Sequence, residues 1–212
     1  MAKLYFKFGV MGSSKTAQAL MTKFNYEEKN QSVWLIKPKT DFRDDTVDEN
    51  GVVHTMLRSR IGLSAKAEAV PDTLDLYRTF LHRGSAGKKY TDVIICDECQ
   101  FLTGRQVEQL KDLADRHDVP VLCFGLRADF QTKLFPGSMR LFEIADSITE
   151  IKSICRCGRK ATVNARFADD GQIIIYGEQV CIGGNDRYEG MCYNCYRALV
   201  DAKIKEIERE NK

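Results

Sequence analysis

One stretch near the amino terminus leaves this chain little freedom: Phe8-Gly9-Val10-Met11-Gly12-Ser13-Ser14-Lys15-Thr16. A strand-like run, Lys3 to Phe8, stops abruptly in small residues, and helix formers follow from Ala17 to Phe24, so the order is strand, tight loop, helix. Such a loop is a cradle for phosphate. Its successive backbone N–H groups converge on one concavity, the positive end of the helix dipole points into it, Lys15 adds a charge, and Thr16 can ligate magnesium. The usual pattern is G-x-x-x-x-G-K-[ST], and Ser14 stands where its second glycine is expected. A glycine-rich turn with a stray lysine also serves as plain chain reversal, so the rest of the chain has to decide.

The 212 residues allow one domain with a small appendage or two modest domains. With 32 basic and 30 acidic residues the net charge is +2, and nothing in that balance argues for a nucleic-acid or membrane partner. The first residues alternate lysine with apolar side chains and lack the core of a signal peptide, and no run approaches ~18 apolar residues, so a cytoplasmic protein is expected. Eight cysteines in a reducing compartment direct attention to spacing rather than to disulfides. Cys96, Cys99, Cys123 and Cys181 stand singly in apolar or strand-like settings and read as filler. Cys155 with Cys157, and Cys192 with Cys195, come in pairs, as a metal requires.

Ser32 to Ile36 reads as a second strand, and alternation of strand and helix indicates a parallel sheet. Residues 39–64, rich in Asp, Arg and Gly, are too polar to bury and read as a long irregular loop, functional or disordered. Within it Arg60 is either a phosphate contact or a solvated loop arginine. A helix is expected over Asp72 to Leu81, then a buried strand, Val93 to Cys96, ending in the carboxylates Asp97 and Glu98. Charges after so apolar a strand need partners, and a metal with a substrate hydroxyl would supply them. Thr103 and Gln106 form a capping box for a helix to Arg116, and a strand from Val121 to Phe124, a helix from Ser138 to Ala145 and a strand from Ser147 to Ile151 complete an α/β domain, residues 1–151.

From residue 152 to 212 the pattern changes. Ala161 to Phe167 and Gln172 to Tyr176 read as strands of a hairpin turned at Asp169-Asp170-Gly171, and a charged helix runs from Tyr196 to Glu210. So small a unit needs a staple. Cys155, Cys157, Cys192 and Cys195 can hold a structural zinc tetrahedrally, although the first pair is C-x-C rather than C-x-x-C, and four thiolates leave no open catalytic position. If Thr16 and Asp97 share one magnesium, the strand ending in Asp97 is expected beside the first strand, which leaves Glu98 free to accept a proton from water or from a small alcohol.

Several further stretches, in order, carry a resemblance: Ser59-Arg60-Ile61-Gly62-Leu63-Ser64, Asp97-Glu98-Cys99-Gln100-Phe101-Leu102-Thr103, Val121-Leu122-Cys123 followed by Gly125-Leu126-Arg127 and Asp129-Phe130, Ile154-Cys155 with Cys157-Gly158-Arg159-Lys160, and Ile182-Gly183-Gly184-Asn185 with Arg187-Tyr188. With these the chain resembles the type II thymidine kinases, deoxynucleoside kinases with a P-loop (RecA-like) parallel sheet and a small zinc-bound lasso domain, and among them the enterobacterial branch. The resemblance implies ATP-dependent phosphorylation of the 5′-hydroxyl of deoxythymidine, with Mg2+, a structural Zn2+, a homotetramer and feedback inhibition by dTTP. It makes Glu98 the catalytic base and Asp97 the magnesium-associated carboxylate. Gly9, Val10, Met11, Gly12, Ser13, Ser14, Lys15 and Thr16 become the phosphate loop, with Gln100 and Arg60 on the ATP side. Phe101, Leu126, Phe130 and Tyr188 then line the thymine pocket, with Cys181, Ile182 and Gly183 on the lasso over the base. Phe101 and Phe130 could equally be core by composition. The reading from another class is a P-loop ATPase whose zinc unit binds nucleic acid, against which stand the near-neutral charge and the lack of a basic, aromatic-studded stripe over residues 152–195.

Overall fold

A computed structural model of the protein describes residues 1–85, 91–179 and 188–210. The chain begins β1 (Leu4–Phe8), α1 (Lys15–Glu27) and β2 (Val33–Pro38). A polar stretch then carries β3 (Thr46–Val47), β4 (Val53–His54), β5 (Met56–Arg58), β6 (Ser64–Lys66) and β7 (Glu68–Val70). After it come α2 (Leu76–Ser85), β8 (Val93–Cys96), α3 (Gly104–His117), β9 (Val121–Gly125), α4 (Pro136–Ile144) and β10 (Ser147–Glu150). The last part holds β11 (Val163–Phe167), β12 (Ile173–Ile174), β13 (Tyr188–Met191) and α5 (Tyr193–Glu210).

One six-stranded sheet runs β10-β1-β9-β8-β2-β7, every adjacent pair parallel. Its two middle strands, β8 and β9, are apolar throughout because both faces are covered. On one face Phe6, Ile36, Ile94 and Cys123 pack against Leu76 and Phe80 of α2, Val107 and Leu110 of α3 and Leu141 of α4. On the other, Leu35, Ile95 and Phe124 meet Ala19 and Leu20 of α1 and Leu57 of β5. The capping box read from the sequence is present: Thr103 Oγ1 accepts from Gln106 N at 3.2 Å and Thr103 N donates to Gln106 Oε1 at 3.1 Å.

Three expectations change. The strand ending in Asp97 does not lie beside the first strand, because β9 runs between β1 and β8. The two strand ends still face one cleft, since β9 ends in a glycine, Gly125, whose carbonyl accepts from Gly9 N at 3.2 Å. Residues 39–64 are not wholly irregular: between turns they carry two short antiparallel hairpins, β3-β4 and β5-β6, and β7 follows as an edge strand on β2. Their anchor is Lys37, a fully buried side chain whose Nζ donates to Met56 O at 3.0 Å and lies 3.1 Å from Asp45 and 3.5 Å from Asp41. A buried ammonium has to collect oxygens, and collecting them folds the polar stretch. Finally, α2 starts at Leu76 rather than Asp72, because Leu74 N closes a turn on Pro71 O at 2.9 Å and the Asp75 carboxylate caps Arg78 N at 2.9 Å.

The carboxyl-terminal part forms an antiparallel sheet, β12-β11-β13, with the turn at Asp169-Asp170-Gly171 as read. Its core of Val163, Ala165, Met191, Tyr196 and Val200 takes in Val10 from the phosphate loop. Among the described residues no helix is long and apolar enough to cross a membrane.

Candidate active site

The carboxyl ends of β1, β9, β8 and β2 open on two adjoining clefts, at the edge of a parallel sheet where ligands bind. Met11, Gly12, Ser14, Lys15, Thr16, Arg60, Asp97 and Glu98 are among the residues that line the first. Gly12 and Ser14 both turn into the left-handed region, with φ of +76° and +62°, so that the loop curls before α1 begins. A side chain at φ +62° is under strain, and Ser14 gives no side-chain cap in return. Lys15 is buried, its Nζ 2.9 Å from Val10 O and 3.5 Å from Ser13 Oγ. Burial lowers its pKa from the ordinary lysine value, against the pull of Glu98 and Asp97. Arg60 reaches in from the β5-β6 hairpin: its Nη1 would lie 3.8 Å from a Cβ placed on Gly12. The group gathers positive charge at the start of a helix, which is what a polyphosphate needs.

Asp97 and Glu98 follow β8 as the sequence predicts. Asp97 is buried, and its pKa rises to about 7, first from desolvation and then from repulsion by Glu98, while the Thr16 hydroxyl and Lys15 oppose the rise. Its Oδ1 is buried with no hydrogen-bond partner. A carboxylate pushed up by burial and left with an orphaned oxygen beside a threonine hydroxyl fits a cation site, so Thr16 and Asp97 suit magnesium. Glu98 sits in the left-handed region at φ +51°, a strained backbone that aims its carboxylate across the cleft. There Oε1 accepts from Arg43 Nη2 at 2.7 Å and Oε2 from Gln100 Nε2 at 2.5 Å. Gln100 is held in turn by Leu126 N, which donates to its Oε1 at 2.9 Å. Arg43 also bonds Asp41 at 2.6 Å; despite their burial its proton is held more firmly than in a free guanidinium, by Glu98 and Asp41, and Asp41 is kept below the usual carboxylate range by Arg43 and Lys37.

The second cleft adjoins the first and is partly open to solvent. Its walls are flat and apolar: Phe101 meets Phe135 edge to face at 5.7 Å, with Leu126 and Phe130 beside them and Tyr188 opening the far side. Polar side chains line it as well, among them Asp129, Asn164 and Gln179, whose Nε2 donates to Asp129 Oδ2 at 3.0 Å. A planar heterocycle suits such walls. Met11, Asp41, Arg43 and Glu98 line both clefts, so Glu98 stands where the two meet.

Away from the clefts, the Sγ atoms of Cys155, Cys157, Cys192 and Cys195 lie within 4.8 Å of one another, with Cys157 and Cys192 at 3.6 Å. Four thiolates around zinc at ~2.3 Å stand about 3.8 Å apart, so the cluster fits that ion. The short C-x-C spacing works because the chain turns back at once: Gly158 N donates to Cys155 O and Cys155 N to Arg159 O, both at 2.8 Å. Backbone N–H groups of Cys157 and Cys192 lower the Cys155 thiol to about 6, whereas Cys195, facing the other sulfurs, is pushed up to about 12. A metal would discharge that last thiol.

The family model described as Thymidine kinase matches residues 2–196. This chain belongs to the thymidine kinase family. Relatives named thymidine kinase include one from Legionella pneumophila (strain Lens), 42% identical over 93% of this chain and 90% of the relative. Another, from Vibrio vulnificus (strain CMCP6), is 39% identical over 93% and 97%, and that of Enterobacteria phage T4 is 37% identical over 94% and 97%.

Within the family frame, most residues singled out in the sequence come together. Gly12, Ser14, Lys15, Thr16, Arg60, Asp97 and Glu98 share the phosphate-side cleft, and Phe101, Leu126, Phe130 and Tyr188 the other. Gly9, Val10 and Ser13 shape the loop from behind, and Gln100, grouped by sequence with ATP, lines the apolar cleft with its amide committed to Glu98 and Leu126. Cys181, Ile182 and Gly183 lie outside the described residues. Sequence reading missed Asp41, Arg43 and Asn164. The signals were there: Asp41 and Arg43 follow a buried strand at its carboxyl edge, and Asn164 is a polar residue inside an apolar strand.

Proposed function

We propose that the chain is a thymidine kinase that transfers the γ-phosphoryl group of ATP to the 5′-hydroxyl of deoxythymidine, giving dTMP and ADP. The observation that carries this is Glu98 lining both clefts, with a loop for polyphosphate on one side and aromatic walls on the other. The backbone N–H groups of Gly12, Ser14, Lys15 and Thr16 and the side chains of Lys15 and Arg60 hold the phosphates. Thr16 and Asp97 hold magnesium, which when bound neutralises charge on the phosphate oxygens. Thymine lies among Phe101, Leu126, Phe130 and Tyr188, a placement supported by the walls of the second cleft. Cys181, Ile182 and Gly183 close over its edge, a reading carried by the family resemblance. Glu98 accepts the 5′-hydroxyl proton as that oxygen bonds the γ-phosphorus and ADP leaves, with Arg43 and Gln100 keeping the carboxylate turned to the hydroxyl.

By the same reading Cys155, Cys157, Cys192 and Cys195 bind a structural zinc, and the enzyme works in the cytoplasm as a homotetramer that dTTP inhibits. The test is incubation with ATP, magnesium and each deoxynucleoside in turn. Monophosphate should form fastest from deoxythymidine. Phosphate release stimulated by DNA, with no nucleoside product, would instead make the chain an ATPase with a nucleic-acid-binding zinc unit.

A further inference from the structure

Asn164 and Gly190 are register partners on β11 and β13, so both present the same face of the cysteine-bound sheet, and the phosphate loop rests on that face. Asn164 is buried, and its side-chain amide is used at both ends. Oδ1 accepts from Met11 N at 2.8 Å, and Nδ2 donates to Ala128 O, in the wall of the apolar cleft, at 2.9 Å. At Gly190 the loop comes closer than any side chain would allow: a Cβ there would stand 2.6 Å from Val10 Cγ2 and 3.0 Å from Met11 O. Val10 is itself a hub, since its carbonyl accepts from Ser13 N at 3.2 Å and Lys15 Nζ at 2.9 Å, so its position sets where Lys15 rests.

We propose that Asn164 is a positioning residue for the phosphate loop, and that the cysteine-bound sheet is the platform against which the loop takes its ligand-ready shape. This rests on the reading that the loop holds the ATP phosphates. A loop with two left-handed residues, one of them Ser14, does not keep that shape for nothing. Fixing the Met11 amide and blocking Val10 from behind removes the alternatives on the near side, and the outward-facing N–H groups stay aligned. A single amide thus ties Met11 of the loop to Ala128 in the wall of the apolar cleft. The sheet therefore acts on the phosphate side as well as covering the nucleoside.

The test measures the dissociation constant of MgADP by calorimetry without nucleoside, together with bound zinc and melting temperature. Parent protein binding MgADP and Lys15→Ala losing it establish the phosphate site; failure at that stage sinks the functional reading, not the platform. Asn164→Ala and Gly190→Ala should each weaken MgADP by roughly five- to thirtyfold with zinc retained. Val200→Ala, in the same core but on α5 rather than on the two strands that face the loop, should lower the melting temperature and leave MgADP binding alone. Should Asn164→Ala fail to fold, Asn164→Ser takes its place with the same expectation. MgADP affinities within about twofold of the parent in the Asn164 and Gly190 variants, or an equal loss in Val200→Ala, would overturn the proposal.

Discussion

The two ends of the cleft meet at Glu98 but are made in different ways. The phosphate end is local in sequence, eight successive residues from Gly9 to Thr16 that curl into the start of a helix. The apolar end draws Phe101 from after β8, Leu126, Phe130 and Phe135 from the connection between β9 and α4, and Asn164 and Tyr188 from β11 and β13, and it exists only once they pack. Locality is not independence, however. The loop leans on Asn164 and Gly190 from far along the chain, so the end that looks self-contained also depends on tertiary packing.

The sharpest cut through this comparison is at the junction. Glu98→Gln removes a proton acceptor but no phosphate contact, so kcat should fall by about 10²–10⁴ while the affinities for ADP and deoxythymidine change little. If ADP binding disappears with it, Glu98 belongs to the phosphate end and the division is wrong. Next in size is metal removal from the four cysteines. It should lower the melting temperature by roughly 5 °C or more and weaken both ends together. A melting curve that does not move after proven loss of the metal would show that neither end relies on the cluster.

A smaller effect concerns Asp97 in protein free of divalent cations. Its folded pKa of about 7 lies above the usual carboxylate value of ~3.9, so the folded state holds a proton that the unfolded chain releases. That contribution to stability is complete below about pH 4 and is lost as the pH rises through about 7. Asp97→Asn cannot ionise. Its melting temperature should match the parent at acid pH and exceed it by roughly 2–8 °C at pH 8, a gap that magnesium added to the parent should narrow. A gap that is the same at every pH would mean that Asp97 does not titrate there. Smallest is Ser14→Gly, which relieves a strained φ but frees the unfolded chain, so the melting temperature should move by no more than about 2 °C. A tenfold or greater change in ADP affinity would show instead that the serine side chain itself touches the ligand.

What could be read in advance follows the same line. The phosphate loop, the acidic pair after an apolar strand and the paired cysteines are short-range patterns, and the structure brings each set together. The capping box at Thr103 is of this kind too. The Asp41-Arg43-Glu98 chain was not legible, because it depends on where a polar stretch folds, and that is decided by Lys37 gathering oxygens from Asp41, Asp45 and Met56. Nor was Gln100: next to Glu98 it reads as another ligand contact, yet in space its amide is shared between Glu98 and Leu126.

By itself, then, the sequence determined the parallel α/β sheet, the glycine-rich loop between β1 and α1 and the four cysteines that come together. These rest on backbone periodicity, glycine and thiol spacing, which act over a few residues. Only the tertiary structure decided that β9 separates β1 from β8, that Arg43 and Gln100 hold Glu98, and that Asn164 braces the loop from the cysteine-bound sheet. Those depend on burying polar groups far apart in the chain, and a buried polar group takes the partner that packing delivers rather than the one nearest in sequence.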